Sequence, residues 1–137
     1  MRSHVLMMIY YFTIPQPPVP GCVHCFTGST EELQRYLDCG FYIGLTGYIM
    51  TLDNEKLLTW LNMITLERLV LETDAPYMGF KGCRSKEEKE KKRTYPNVPS
   101  SLPKILDRVC EVSGQPQLNM LSINVLSRMT DQIRFCV

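Results

Sequence analysis

Three branched apolar residues followed at once by two carboxylates and a proline, Leu69-Val70-Leu71-Glu72-Thr73-Asp74-Ala75-Pro76, constrain this chain more than any other stretch. An unbroken apolar run without polar alternation reads as a buried strand. Glu72 and Asp74 stand two residues apart, so a strand that continues carries both to one face, and Pro76 ends the ladder just beyond them. Two acids at the mouth of a buried strand repel each other and resist desolvation; a cation between them, or basic partners, relieves both problems. The same residues admit a structural account in which Asp74 caps the turn before Pro76 and Glu72 meets a Lys or Arg.

A second segment tilts the reading toward chemistry. Gly21-Cys22-Val23-His24-Cys25-Phe26 is short, apolar, bounded by Pro20 and Gly28, and carries one of the two histidines in the chain. It runs into Thr27-Gly28-Ser29-Thr30-Glu31-Glu32-Leu33, where Ser29 and Glu32 have capping-box spacing and Leu33 and Leu37 begin a helical stripe. His24 is therefore expected near the end of a strand. The loop after it opens a helix N-terminus, a setting that favours anions.

The remaining segments repeat the pattern. The spacing predicts a helix near 30–39 ending at Gly40, a strand at 42–46 and a helix over 53–63 capped by Asp53 with Leu57, Leu58 and Leu61 as its apolar face. A strand over 69–74 comes next, then a helix from Ser100 or Ser101 that accepts Pro103 in its first turn and stops before Gly114. Strands separated by helices of about ten residues imply an α/β fold with parallel pairing. In such folds functional residues gather at the C-terminal strand ends, where His24 and Asp74 fall.

Val23-His24-Cys25-Phe26-Thr27-Gly28-Ser29, Tyr42-Ile43-Gly44-Leu45-Thr46-Gly47 and Glu72-Thr73-Asp74-Ala75-Pro76-Tyr77 closely resemble, in order and spacing, three successive signatures of the TatD-type deoxyribonucleases, metal-dependent hydrolases built on a TIM barrel. The resemblance implies a partial TIM barrel, the last three to four βα units of eight, over residues 21–137. It implies His24 and Asp74 as ligands of a divalent ion (Mg, Mn or Zn), Asp74 as the group that also helps activate water, and Glu72 as the acid beside it. Thr27, Gly28 and Ser29 would hold a substrate phosphate, and the substrate would be DNA.

The family opens with a His-x-His pair and adds a glutamate and a further histidine upstream; here only His4 and His24 exist. A full barrel takes about 250 residues, so 137 point to a chain that lacks the first half and is weak or inactive alone, with open edges prone to self-association. Asn97-Val98-Pro99 also lacks the acid of the family's Asn-Glu-Pro pattern. Residues 1–20 form a separate segment: the apolar run 5–14 is shorter than the roughly 20 residues a bilayer requires, and four prolines follow it where a signal cleavage site would lie. No membrane association is expected.

Net charge +1 gives no bias toward nucleic acid, and six cysteines without a secretory context point to reduced thiols in a cytoplasmic or nuclear protein. Residues 81–93 carry seven Lys and Arg against three Glu, which reads as a solvated loop or short exposed helix; its place just after the carboxylate strand would let it line a substrate entrance and touch DNA phosphates. Two other readings stay open: a zinc module of Cys22, His24, Cys25 and Cys39, and a non-catalytic remnant or binding protein.

Overall fold

A computed structural model of the chain describes residues 21–87, 96–115 and the backbone of 124–125. Among these, four parallel strands form one sheet in the order β1 (Cys22–Val23), β2 (Tyr42–Leu45), β3 (Leu69–Leu71), β4 (Asn124–Val125). Helices α1 (Thr30–Asp38) and α2 (Asn54–Met63) connect β1 to β2 and β2 to β3, and α3 (Leu102–Ser113) precedes β4. The expected parallel, neighbouring arrangement of the first three strands holds. The strand at 124–125 has no counterpart in the sequence reading, because nothing after Gly114 stands out from its surroundings. Residues 1–20 and 88–93, and with them the apolar segment and half of the charged one, lie outside the described residues.

The strands are shorter than the apolar runs that announce them. The first stops at Val23 because Cys25 takes a left-handed backbone (φ 49°), and pairing resumes once where Phe26 N–H donates to Gly44 O at 2.8 Å. The second stops at Leu45 because Thr46 caps a 3-10 turn over Gly47–Thr51, its hydroxyl accepting from Tyr48 N–H at 3.3 Å. The third, expected to reach residue 74, stops at Leu71, with Asp74 left-handed (φ 53°).

Helix ends follow the local chemistry read from sequence. Ser29 and Glu32 form the reciprocal capping box, Asp53 caps α2 by accepting from Lys56 N–H at 2.7 Å, and Gly114 ends α3 with φ 66°, where a side chain would be strained. The helices pack on one side of the sheet around Phe26, which meets Trp60 at 4.9 Å and Tyr36 at 6.3 Å between ring centroids in edge-on geometry. One expectation fails here. Leu58 is 39 % exposed, while Leu57 and Trp60 are fully buried; the apolar stripe of α2 runs through Leu57, Trp60, Leu61 and Ile64, an i, i+3, i+4, i+7 set that leaves Leu58 off its edge.

This difference is measurable. Leu57→Ala should cost about 2–5 kcal/mol in denaturant unfolding, the range for emptying a packed leucine site. Leu58→Ala should cost less than about 1 kcal/mol, because its side chain already meets water. Equal losses for the two variants would contradict the helix register.

Candidate active site

The break in β1 is what positions His24. With Cys25 turned left-handed, the strand end swings the imidazole over the C-terminal edge of the sheet, toward the residues that follow β3. Glu72 is held there by its own backbone, whose N–H donates to Leu45 O at 3.0 Å. Its carboxylate crosses β2, with Oε2 2.7 Å from His24 Nδ1 and Oε1 accepting from Cys25 N–H at 2.6 Å. This crossing needs Gly44, since a Cβ there would collide with the Glu72 carboxylate and come within 3.0 Å of Val23 O. Asp74 reaches the other edge of the ring, Oδ1 lying 3.1 Å from His24 Nε2. The two acids thus meet one imidazole, as the sequence suggests, but through turns rather than by strand alternation.

The electrostatics of the cluster are asymmetric. Glu72 is 5 % exposed and both its oxygens have donors; His24 and Asp74 are partly open to solvent. With Nδ1–H given to Glu72, a neutral His24 turns a lone pair at the Asp74 carboxylate, an acceptor facing an acceptor. Either a second proton or a metal ion on Nε2 removes that repulsion. Burial, the largest single influence, pulls the His24 pKa down. The charge of Glu72, hydrogen bonds to Glu72 and Asp74 and the charge of Asp74 together outweigh it, so the imidazole is pushed above 6.5.

Imidazole nitrogen and carboxylate oxygen suit Mn²⁺, Zn²⁺ and, through the oxygen, Mg²⁺. The 3.1 Å between Nε2 and Oδ1 matches two adjacent ligands at about 2.1 Å from a shared ion. The donor set therefore fits a metal in kind and is short in number. Among the described residues no group of three or more His, Cys, Asp or Glu side chains surrounds one point. Glu72, already engaged, orients His24 from the far side of the ring, as outer carboxylates do for metal-bound histidines.

The same shortage bears on the zinc-module alternative. The ring nitrogens of His24 face oxygens, and the Cys25 thiol lies against Thr46 Oγ1 at 3.3 Å, its pKa raised by burial and by the charges of Asp74 and Glu72 against the lowering effect of Thr46. The five described cysteines are not joined in disulfides.

Thr27, Gly28 and Ser29 follow directly on this edge. Ser29 N–H donates to Glu32 Oε2 at 2.8 Å and its hydroxyl accepts from Glu32 N–H, so two donors of the helix N-terminus are committed. A Cβ at Gly28 would lie 2.6 Å from Glu32 Oε2 and 2.8 Å from the Phe26 ring. Thr27 and Ser29 are exposed and Gly28 half-buried, so the whole loop is open to solvent, with Ser29 N–H engaged by Glu32.

Sequence reasoning misses three members of the site. Gly44 has a signal, a glycine in the middle of an apolar strand, which marks a close approach. Cys25 gives none, because a left-handed cysteine is not announced by its neighbours. Asn97 reads in sequence as part of a departure from a family pattern, yet it is fully buried and clamps the 73–78 segment: its Nδ2 donates to Thr73 O at 2.7 Å and Met78 O at 3.4 Å, its N–H to Pro76 O at 3.2 Å, and its Oδ1 accepts from Val98 N–H. The acid missing at position 98 does not leave this loop without hydrogen bonds.

Two substitutions test these contacts. Gly44→Ala should destabilise the chain by about 1–3 kcal/mol through overpacking, and less in a Glu72→Ala background; unchanged cost in the double-mutant cycle would mean that the carboxylate does not occupy that space. Asn97→Ala strands two carbonyls and should cost about 2 kcal/mol in the same unfolding measurement.

Against known proteins, the chain matches the family described as TatD related DNase over residues 2–127, a stretch that takes in most of the segment before Gly21. A protein named 3′-5′ ssDNA/RNA exonuclease TatD from Pantoea ananatis is 36 % identical over 119 residues, covering 84 % of this chain and 41 % of the relative. A protein of the same name from Klebsiella pneumoniae is 41 % identical over 101 residues, 71 % of this chain and 36 % of its own length. Among solved structures, a TatD homologue from Escherichia coli superposes with a TM-score of 0.62 at 26 % identity, covering 81 % of this chain and 39 % of that one. A TatD family hydrolase from Entamoeba histolytica gives 0.54 at 33 % identity over 69 % of this chain and 36 % of its own. The chain spans about two fifths of the length of the relatives it matches. It belongs to the TatD related DNase family.

Proposed function

We propose that this chain carries part of a metal-dependent phosphodiester hydrolase acting on DNA, single strands above all, since relatives bear the name of ssDNA/RNA exonucleases. The observation that carries the reading is the His24 Nε2 edge, where the ring nitrogen and the Asp74 carboxylate oxygen stand 3.1 Å apart at the open end of the sheet, a spacing that two ligands of one ion share. In this account His24 and Asp74 hold the ion. A divalent ion supplies a positive centre for the phosphoryl oxygens and a water of lowered pKa. Glu72 keeps His24 in the tautomer that presents Nε2 outward. Asp74, with a second oxygen free of His24, takes the proton of the attacking water. Thr27, Gly28 and Ser29, the loop that follows His24, receive the substrate phosphate.

The sheet then represents the last three to four βα units of a TIM barrel, and residues 21–137 its C-terminal half, with 1–20 set apart from it. Two donors from the described residues are fewer than the four to six ligands a divalent ion takes, so the isolated chain should bind metal weakly and cleave DNA poorly or not at all. Such an open arc leaves strand edges unpaired, and the chain should self-associate through them. No helix among the described residues is long and apolar enough to cross a membrane.

The deciding assay uses monodisperse chain on labelled single-stranded DNA with Mg²⁺ or Mn²⁺, beside Asp74→Asn. The expected result is metal-dependent cleavage at least roughly 100-fold below that of an intact family nuclease run in parallel, a loss on the scale of a misplaced catalytic group. It should fall to background in Asp74→Asn. Cleavage that persists in Asp74→Asn would sink the assignment of Asp74. Full turnover would sink the claim of incompleteness.

A further inference from the structure

Tyr77 is 69 % exposed, one of two large apolar side chains among the described residues that stand open to water. Exposure alone carries nothing, since single surface aromatics are ordinary. Position and rigidity separate Tyr77 from Leu58. Tyr77 follows Asp74 by three residues, and its N–H donates to Asp74 O at 2.8 Å, so the two share one turn. That turn is fastened from behind: Asn97 bonds the backbone of Thr73, Pro76 and Met78. A Cβ on Gly47 would meet Met78 O and the Phe80 ring, both at 2.5 Å, and one on Gly79 would meet Pro96 O at 2.6 Å. The backbone on either side of Tyr77 is thus packed against neighbours that leave no slack, while the ring projects free of them.

From this we infer that Tyr77 is a stacking platform for an unpaired nucleobase of the strand whose phosphate lies at Asp74. The inference rests on the nuclease reading above and adds to it the residue that selects single-stranded substrate. The physical case has three parts. A ring carried on a fixed backbone has only its two side-chain torsions to lose when a base settles on it. Every base offers a π-face, so the contact favours no sequence. A paired base inside a duplex is already stacked on both faces, so Tyr77 meets an overhang, a loop or a single strand, and a blunt duplex offers it only its two terminal pairs. The side chains of His24 and Asp74 supply no contact to bases, and the chain's net charge of +1 offers little general attraction for DNA. A base contact beside the reacting phosphate therefore has a large share of the binding to supply.

The test is a titration of the full chain into a short oligothymidylate with one 2-aminopurine, followed by anisotropy of an end label and by 2-aminopurine fluorescence, with Mn²⁺ present. The wild-type chain should bind and quench the reporter base, and a blunt duplex of the same sequence should bind at least several-fold more weakly. Tyr77→Phe keeps the ring and should match wild type. Tyr77→Ala should lose the quenching and bind about ten-fold more weakly, the factor a single base–aromatic stack contributes, with unfolding unchanged because the side chain is already exposed. Binding by anisotropy that is the same in wild type and Tyr77→Ala, or that occurs without quenching, would overturn the stacking role and leave the nuclease reading standing. No binding of the oligonucleotide by the wild-type chain would overturn both.

Discussion

The site depends on one buried carboxylate. Glu72 emerges from the sheet at the end of β3 and satisfies two donors from a different strand end, the His24 ring and the Cys25 N–H. A buried carboxylate without such donors would cost several kcal/mol; with them it becomes the strut between β1 and β3, passing over β2 where Gly44 leaves room. Everything outward of it follows. His24 is fixed in orientation, its Nε2 edge faces Asp74, and the left-handed turn at Cys25 has a hydrogen bond to hold it. Removing the strut would free the imidazole and leave the Cys25 amide unpaired in one stroke.

Much of this is legible in the sequence, for reasons that differ by residue. The helices declare themselves through local chemistry: Ser29 with Glu32, Asp53 before Asn54, Gly114 after Ser113 are signals that act within one turn, and each sits where the sequence places it. The parallel order of β1, β2 and β3 follows from strand–helix alternation. Strand lengths do not, because an apolar run says that a residue is buried and not that it keeps extended geometry. Phe26 is fully buried and yet belongs to no strand. The face of α2 is misjudged at Leu58 because leucine beside leucine gives no clue to which of the two turns inward until Trp60 and Ile64 are counted with them.

At the site, residue types that carry chemistry are visible in the sequence, and residues that carry geometry are not. His24, Glu72 and Asp74 are conspicuous because ionisable groups at the ends of apolar strands are costly. Gly44, Cys25 and Asn97 act through space, backbone angle and carbonyl capture, which a one-dimensional reading registers only when a partner is already known. Asn97 illustrates the limit well, since its three carbonyl partners lie about twenty residues earlier in the chain.

The left-handed turn at Cys25 bears on how this site is free to vary. A thiol here invites attention as a reactive group, but what position 25 demands is a backbone at φ 49° with its N–H aimed at Glu72. Glycine and asparagine meet that demand at little steric cost, and valine, isoleucine and threonine do not. Variation at this position should thus be filtered by torsion angle and be largely indifferent to sulfur. A Cys25→Asn chain, natural or engineered, would keep the His24–Glu72 pairing, whereas a Cys25→Val chain would lose it without touching a single ionisable partner of the imidazole.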